Sequence, residues 1–136
     1  MKTLQIYTDG GSKGNPGPAA IGMAFFIDGR QVFSHRADIG AATNNDAEYQ
    51  AVITALNKVK EFREWESVGA IGFYSDSQLL VNQLNGLYKV KNAKIRAYII
   101  QIKQLEQEIK LPVSYHHIPR EENQLADDLV NNRIKS

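Results

Sequence analysis

The stretch TDGGSKGNPGPAAIG, from Thr8 to Gly22, places one acid, Asp9, ahead of a segment with few bulky side chains. Glycines occupy positions 10, 11, 14 and 17, and glycine backbone can adopt a positive φ or approach another group closely. Just upstream, Leu4–Thr8 alternates apolar and polar residues, which predicts a β-strand with Asp9 at its carboxyl end. We therefore expect a strand followed by a loop that holds a ligand through its main chain.

Length and composition indicate one globular domain. The chain has 136 residues and a formal net charge of +1, which neither indicates nor excludes a nucleic-acid partner. It contains no cysteine, so disulfides and thiolate metal sites are excluded. The N-terminus lacks the apolar core of a signal peptide, and the apolar stretch Ala19–Ile27 is shorter than the ~20 residues that cross a bilayer. We expect a monomeric, cytoplasmic domain without membrane contacts or an obligate protein partner.

The hydrophobic pattern predicts an α/β fold. Asp28-Gly29 is typical of a tight hairpin turn, and with the first strand it predicts a three-stranded meander. Apolar residues at helical spacing then predict a helix over Asn45–Lys60, with Asn44 or Asn45 as its N-cap. The order βββαβααβα predicts a five-stranded mixed sheet flanked by helices. The remaining predicted elements are strands Ile21–Ile27, Gln31–Ile39, Val68–Tyr74 and Pro112–Ile118, and helices Ser77–Leu87, Ala93–Ile109 and Glu122–Ile134.

Three acids stand at positions where an isolated charge is costly. Asp9 and Asp76 each end a predicted strand, and a helical crossover usually makes such strands parallel near neighbours. Glu48 lies on the apolar stripe of its helix and points toward the sheet. Each acid alone fits a structural role, as a turn former, a helix cap or a partner of the helix dipole. Together they would repel one another without a cation, and such oxygen ligands suit Mg²⁺ or Mn²⁺.

The last predicted helix offers two candidates for a fourth acid. Asp127 shares a helix face with Val130, whereas the adjacent Asp128 lies beside Leu125. Periodicity alone does not choose between the two.

Four motifs, occurring in order from Tyr7 to Asn131, resemble ribonuclease H of type 1. They are YTDGGSKGNPGPAAIG, TNNDAEYQAVITAL, YSDSQLLVNQLNG and HIPREENQLADDLVN, and the resemblance covers nearly the whole chain. It implies a single ribonuclease H domain over residues 1–136. The activity that it implies is hydrolysis of the RNA strand of RNA/DNA hybrids, leaving 5′-phosphate and 3′-hydroxyl ends. Two Mg²⁺ ions per site, with Mn²⁺ as a substitute, are the implied cofactors.

The resemblance also assigns the catalytic acids by motif. Asp9, Glu48 and Asp76 match three of the family's metal-binding acids, and Asp127 rather than Asp128 matches the fourth. Asp9 would bridge both ions, Glu48 and Asp76 would complete one site, and Asp127 would complete the other. In such hydrolysis two ions activate the attacking water and stabilise the leaving oxygen.

A second set of matched positions concerns the substrate, an RNA/DNA hybrid duplex. The resemblance implies that Gly11, Ser12 and Asn15 read 2′-hydroxyls, which distinguish RNA from DNA. Thr43 is similar to a residue that holds a DNA phosphate. Asn44, Asn45 and Gln78 match positions that contact bases or sugars in the minor groove, although capping of the helix is an alternative role for the two asparagines.

The chain departs from the family pattern at two places. Many relatives carry a basic, tryptophan-bearing protrusion where this chain has the short segment NGLYKVKNAKIR, which lacks tryptophan. Relatives also often have a histidine in the loop before the last helix. Here His117 matches by ungapped spacing to Asp127, whereas Arg120 matches if the loop is shorter. We favour Arg120, since its guanidinium stays charged and pairs well with phosphate.

Two other functions are compatible with the motifs. One is a module that binds hybrids but has weak or lost catalysis. The other is a different nuclease on the same fold, similar to a junction resolvase or an integrase core. The complete set of acids disfavours the first, and the GNPG loop disfavours the second.

Overall fold

The five-stranded mixed sheet predicted from the sequence is confirmed in a computed structural model that describes residues 1–61 and 67–134. The strand order is β3-β2-β1-β4-β5; β1 and β3 are antiparallel to β2, and β4 is parallel to β1 and β5. The elements are β1 (Lys2–Ser12), β2 (Gly17–Ile27), β3 (Arg30–Ala42), α1 (Asn44–Glu61), β4 (Val68–Ser75), α2 (Gln78–Leu84), α3 (Ala93–Ile109), β5 (Val113–His117), a short 3-10 helix (Arg120–Asn123) and α4 (Gln124–Val130).

Helices cover the two faces of the sheet unequally. On one face Leu4 and Ile6 of β1 pack with Tyr49 of α1, and Ile102 of α3 completes the core; all four are fully buried. Removing a side chain of this size from water contributes about 1.5–3 kcal/mol. The seven-residue α4 packs on the opposite face, over β1 and β2. Within the described ranges, no helix is long and apolar enough to cross a membrane.

The β1–β2 hairpin is longer than predicted. Pairing continues from Leu4↔Ile27 to Ser12↔Ala19, and the loop shrinks to residues 13–16. Three of its four glycines therefore lie in strands, Gly10 and Gly11 in β1 and Gly17 in β2. Glycine has a low strand propensity, and the sequence pattern therefore ended the strand too early. Asp9 lies within β1 rather than at its end, which corrects the prediction.

The ends of three helices also differ from the prediction. Thr43, and neither asparagine, caps α1: its Oγ1 accepts a hydrogen bond from Asp46 N at 3.0 Å, and Asp46 Oδ2 accepts one from Thr43 N at 3.3 Å. This reciprocal pair satisfies two backbone donors at once. Helix α2 ends three residues early, at Leu84. The last helix is split into the 3-10 turn and α4, and it stops at Val130, before the positive φ of Asn132.

A close approach at Gly10 fixes α1 against β1. A Cβ atom at Gly10 would lie 2.4 Å from the carbonyl carbon of Ala47 and 2.6 Å from Glu48 N. The Gly10 amide also donates a hydrogen bond to Glu48 Oε1 at 2.6 Å. The first turn of α1 can therefore rest on the strand only because position 10 has no side chain.

Replacing Gly10 with alanine should destabilise the protein, since the new methyl group meets main chain that cannot rotate away. We expect a loss of about 1–3 kcal/mol and a fall in Tm of roughly 5–10 °C, measured by thermal unfolding. Gly11→Ala is the matched control, because its Cβ would make only ordinary contacts at 3.7 Å or more. Equal Tm values for the two variants would show that the approach at Gly10 is not tight.

Candidate active site

Three carboxylates converge where β1 leaves its parallel ladder with β4. Asp9, Glu48 and Asp76 each offer an oxygen within 4.8 Å of the others, and Asp9 and Glu48 are each only 8% exposed. The ladder between the two parallel strands ends at the pair Tyr7↔Tyr74. Asp9 and Asp76 each stand two residues beyond that pair, which places them side by side, and Glu48 reaches them from α1.

The carboxylates oppose one another electrostatically. Burial raises the pKa of Asp9 from its ordinary 3.8 to about 7, and the negative charges of Asp76 and Asp127 add to the shift. Burial also raises the pKa of Glu48 well above its usual range, with Asp9 as the second cause. The amide of Gly10 and the charge of Arg120 only partly offset the pKa shift of Asp9. The cluster therefore favours binding of a proton or of a metal cation.

Asp127 stands near this group on α4. Its carboxylate lies 3.0 Å from Arg133 Nη1 and 3.9 Å from Arg120 Nη2, and Asn131 Nδ2 donates to its Oδ1 at 3.1 Å. The adjacent Asp128 instead accepts a hydrogen bond from the Gln124 side chain and pairs with Arg133. Of the two adjacent acids, Asp127 is the one that lines the cleft described below.

Asn123 and the close approach at Gly22 help to hold α4 in place. The buried side chain of Asn123 donates a hydrogen bond from Nδ2 to the Thr8 carbonyl at 2.8 Å. At Gly22, a Cβ atom would come within 2.9 Å of the Ala126 carbonyl oxygen and of Leu129 Cβ. The glycine thus lets α4 lie directly on β2.

A cleft of about 490 Å³ opens beside the acids. Small residues of β1 and β2 form much of its floor, and Arg36 and Asp38 of β3 form the wall farthest from Asp76. Neither residue stands out in the sequence, because their place in the site follows from strand register, which no local pattern reveals. The cleft is lined by Asp9, Gly10, Gly11, Ser12, Lys13, Pro18, Ala19, Ala20, Arg36, Asp38, Asn44, Asp76, Arg120, Asp127, Val130 and Asn131.

The residues expected to bind substrate fall into two groups. Gly11, Ser12 and Asn44 line the cleft, and Asn15 joins them through hydrogen bonds. The Ser12 amide donates to Asn44 Oδ1 at 2.8 Å, and the Asn44 amide donates to Asn15 Oδ1 at 2.9 Å. These bonds tie the hairpin tip to the start of α1. Two further candidates lie near the same helix start, since Thr43 caps α1 and Asn45 is half-buried within it; Gln78 is exposed at the first residue of α2.

The two candidates for the helper residue lie in different surroundings. Arg120 lines the cleft and is largely exposed, with its guanidinium near Asp127. His117 is exposed at the end of β5, where it pairs with Ser75 across the ladder. Its neighbour His116 stacks on Tyr74, with the ring centroids 5.0 Å apart. Among the described residues, His117 is not one of those that line the cleft.

Known proteins are similar in sequence to this chain over most of its length. Residues 7–133 match the reverse transcriptase-like family model. Ribonuclease HI of Halobacterium salinarum is 37% identical over 132 residues, which cover 96% of this chain and 64% of that protein. A bifunctional protein of Mycobacterium tuberculosis is 35% identical, and the match covers 98% of this chain and 36% of that protein. The chain thus spans less than two thirds of the length of either relative.

Solved structures give the same result. LC11-RNase H1, isolated from compost by a metagenomic approach, superposes with a TM-score of 0.90 at 40% identity, covering 97% of this chain and 95% of that one. The same protein in complex with an RNA/DNA hybrid also gives 0.90, at 39% identity, covering 95% and 94%. With five strands in the same mixed sheet and sequence identity of this level, the chain belongs to the ribonuclease H family, type 1.

Proposed function

We propose that this chain hydrolyses the RNA strand of RNA/DNA hybrids, leaving 5′-phosphate and 3′-hydroxyl ends. The observation that carries the proposal is the convergence of Asp9, Glu48 and Asp76, with Asp127 nearby, beside an open cleft. LC11-RNase H1, a relative of nearly the same length, has been solved with an RNA/DNA hybrid, which supports the same substrate here.

The donor set fits divalent metal ions. Carboxylate oxygens are the ligands that Mg²⁺ and Mn²⁺ prefer. Burial first, and the neighbouring carboxylates second, raise the pKa values of Asp9 and Glu48, so a bound cation would stabilise their ionised forms. Asp9, Glu48 and Asp76 would hold one ion, and Asp9 with Asp127 would hold the second. Bound there, two Mg²⁺ ions would activate the attacking water and stabilise the leaving 3′-oxygen.

The protein's own groups would orient the substrate. Gly11 and Ser12 present main chain at the cleft, and the hydrogen bonds through Asn44 and Asn15 fix that main chain in place. Such a rigid arm can read the 2′-hydroxyls of the cut strand without reading its bases. The guanidinium of Arg120 reaches the cleft from outside the sheet and would pair with phosphate oxygens beside Asp127.

Replacing an acid of the cluster should remove activity while the protein stays folded. We expect Asp9→Asn, Glu48→Gln and Asp76→Asn each to lower hybrid cleavage on the order of 1,000-fold, or about 4 kcal/mol of barrier. Asp127→Asn and Asp128→Asn form a matched pair on one helix, and only the first should lose activity. Unfolding of all the cluster variants, or equal activity of the matched pair, would contradict the proposed site.

The metal-free protein should lose stability as pH rises toward 7. Because the pKa of Asp9 is raised in the folded state, the native protein keeps a proton that the unfolded chain releases above pH 3.8. Each pKa unit of that shift lowers the free energy of unfolding by about 1.4 kcal/mol at pH 8 relative to pH 3. Thermal unfolding in EDTA at pH 5 and pH 8 should therefore show a smaller fall in Tm for Asp9→Asn than for the wild type. An identical fall in Tm would mean that the pKa of Asp9 is not raised in the folded protein.

Substrate choice should follow the 2′-hydroxyls. We expect efficient cleavage of hybrids with a long run of ribonucleotides, weak cleavage when only one or two are present, and none of an all-DNA duplex. Labelled duplexes incubated with and without Mg²⁺ measure this. Cleavage of DNA/DNA at a comparable rate would favour a different nuclease on this fold, and tight hybrid binding without cleavage in Mg²⁺ or Mn²⁺ would favour a binding module.

Arg120 and His117 should differ in their effect on turnover. Arg120→Ala removes a cation from the cleft and is expected to lower kcat by ~10–100-fold. His117→Ala changes an exposed residue outside the cleft lining and should leave kcat near normal. Both are measured at saturating hybrid and Mg²⁺, with Tm as the check on folding. The reverse result at unchanged Tm would assign the helper role to His117.

A further inference from the structure

Asp9, Gly22 and Arg36 form one row across three neighbouring strands. Asp9 pairs with Gly22 between β1 and β2, and Gly22 pairs with Arg36 between β2 and β3. Paired residues of antiparallel strands project from the same face, and the middle member has no side chain. A second row, Gly11–Ala20–Asp38, lies two residues farther along the three strands. Because α4 covers Gly22, the open floor of the cleft is formed by residues such as Gly11 and Ala20. The cleft has an acidic end at Asp9, and Arg36 with its partner Asp38 forms the far end.

Arg36 is anchored at that end by one hydrogen bond to the main chain and by an ion pair with an exposed acid. Its Nη2 donates to the Val130 carbonyl at the end of α4, at 3.4 Å, and its Nη1 lies 3.0 Å from Asp38 Oδ1. The Asp38 side chain is 80% exposed, and ion pairs with so exposed a partner are weak. A stronger anion can therefore displace Asp38.

We propose that Arg36 binds a backbone phosphate of the cut strand, next to the phosphate that is hydrolysed at Asp9 and Asp76, and that Asp38 is the counter-ion it releases. The inference rests on the proposed function and names a further contact of that substrate. A planar guanidinium with several donors matches phosphate oxygens. Arg36 is thus a substrate-binding residue, and the metal ligands remain the acids already described.

The order of the strands indicates which phosphate is involved. Asp76, Asp9 and Arg36 follow one another along the sheet, because β4, β1, β2 and β3 are successive neighbours. Strands lie about 4.8 Å apart, so the backbones of Asp9 and Arg36 are separated by ~10 Å. Helix α4 covers Gly22, but Gly11 and Ala20 line the cleft and carry no large side chain. A nucleic-acid strand with one phosphate at the acids can continue over these two residues to Arg36.

The first test is the salt dependence of hybrid binding, measured by fluorescence anisotropy in EDTA so that no cleavage occurs. Loss of one phosphate contact lowers the slope of log affinity against log salt concentration by about 1. We expect Arg36→Ala to show this and to bind about tenfold more weakly at low salt. Arg36→Lys should keep the slope, since it keeps the charge. Arg30→Ala, which removes an exposed cation from the same strand outside the cleft, should leave slope and affinity unchanged.

A purely structural role predicts a different result. If Arg36 only holds the end of α4, Arg36→Ala lowers Tm and kcat and leaves the salt slope at the wild-type value, which would overturn the proposal. Asp38→Asn supplies a second variant that keeps Arg36 itself. It should bind the hybrid several-fold more tightly because the competing anion is gone, and unchanged affinity would contradict the exchange of Asp38 for phosphate.

Chemical substitution of the hybrid locates the phosphate. A neutral methylphosphonate next to the scissile position in the RNA strand should weaken binding by the wild type and have little further effect on Arg36→Ala. If only a methylphosphonate in the DNA strand behaves this way, the assignment to the cut strand is wrong. These are binding measurements, so absence of cleavage by the wild type would count against the proposed function alone.

Discussion

The contact between the main chain of β1 and the first turn of α1 at Gly10 is the constraint on which the site depends. Glu48 can reach Asp9 only because the helix lies on the strand where position 10 has no side chain. The Gly10 amide then holds the Glu48 carboxylate by a short hydrogen bond, which offsets part of the cost of its burial. The Thr8 carbonyl of the same strand accepts the hydrogen bond from Asn123, the residue that precedes α4. One segment of β1 backbone therefore positions helices on both faces of the sheet.

The burial of the acid cluster lowers the stability of the metal-free protein and favours the binding of cations. Because the pKa of Asp9 is raised to about 7, the metal-free protein loses stability as pH rises from about 3.8, the ordinary pKa, to about 7. The raised pKa of Glu48 acts in the same direction. The same repulsion is relieved when divalent cations bind, so part of the binding free energy comes from strain already present in the fold. Removal of one charge should thus help folding of the metal-free protein while it impairs the proposed catalysis, a trade between stability and activity that is common at functional sites.

Much of this could be predicted from the sequence, because several constraints are local or topological. The helical crossover between the strands near Asp9 and Asp76 predicted that these acids lie together, and the apolar stripe of α1 predicted that Glu48 points toward the sheet. The cluster of the three acids agrees with both predictions. What the sequence did not reveal depends on register and on tertiary contacts. The length of the β1–β2 hairpin was underestimated because glycine has a low strand propensity. The Thr43 cap depends on reciprocal hydrogen bonds with Asp46, which the sequence pattern did not indicate. Arg36 joins the site only through pairing across β2.

The brevity of α4 has a consequence for how the protein responds to heat. This seven-residue helix carries Asp127, and it is held to the sheet by the Asn123 amide, by packing over Gly22 and by the Arg36 bond to the Val130 carbonyl. Its two buried side chains, Ala126 and Leu129, bury far less apolar surface than α1 does, and local opening free energies follow such differences. We therefore expect α4 to open at a lower free energy than the sheet, α1 and α3. Because α4 carries Asp127, the site would then be lost before the fold melts, and amide exchange in α4 would report that first transition.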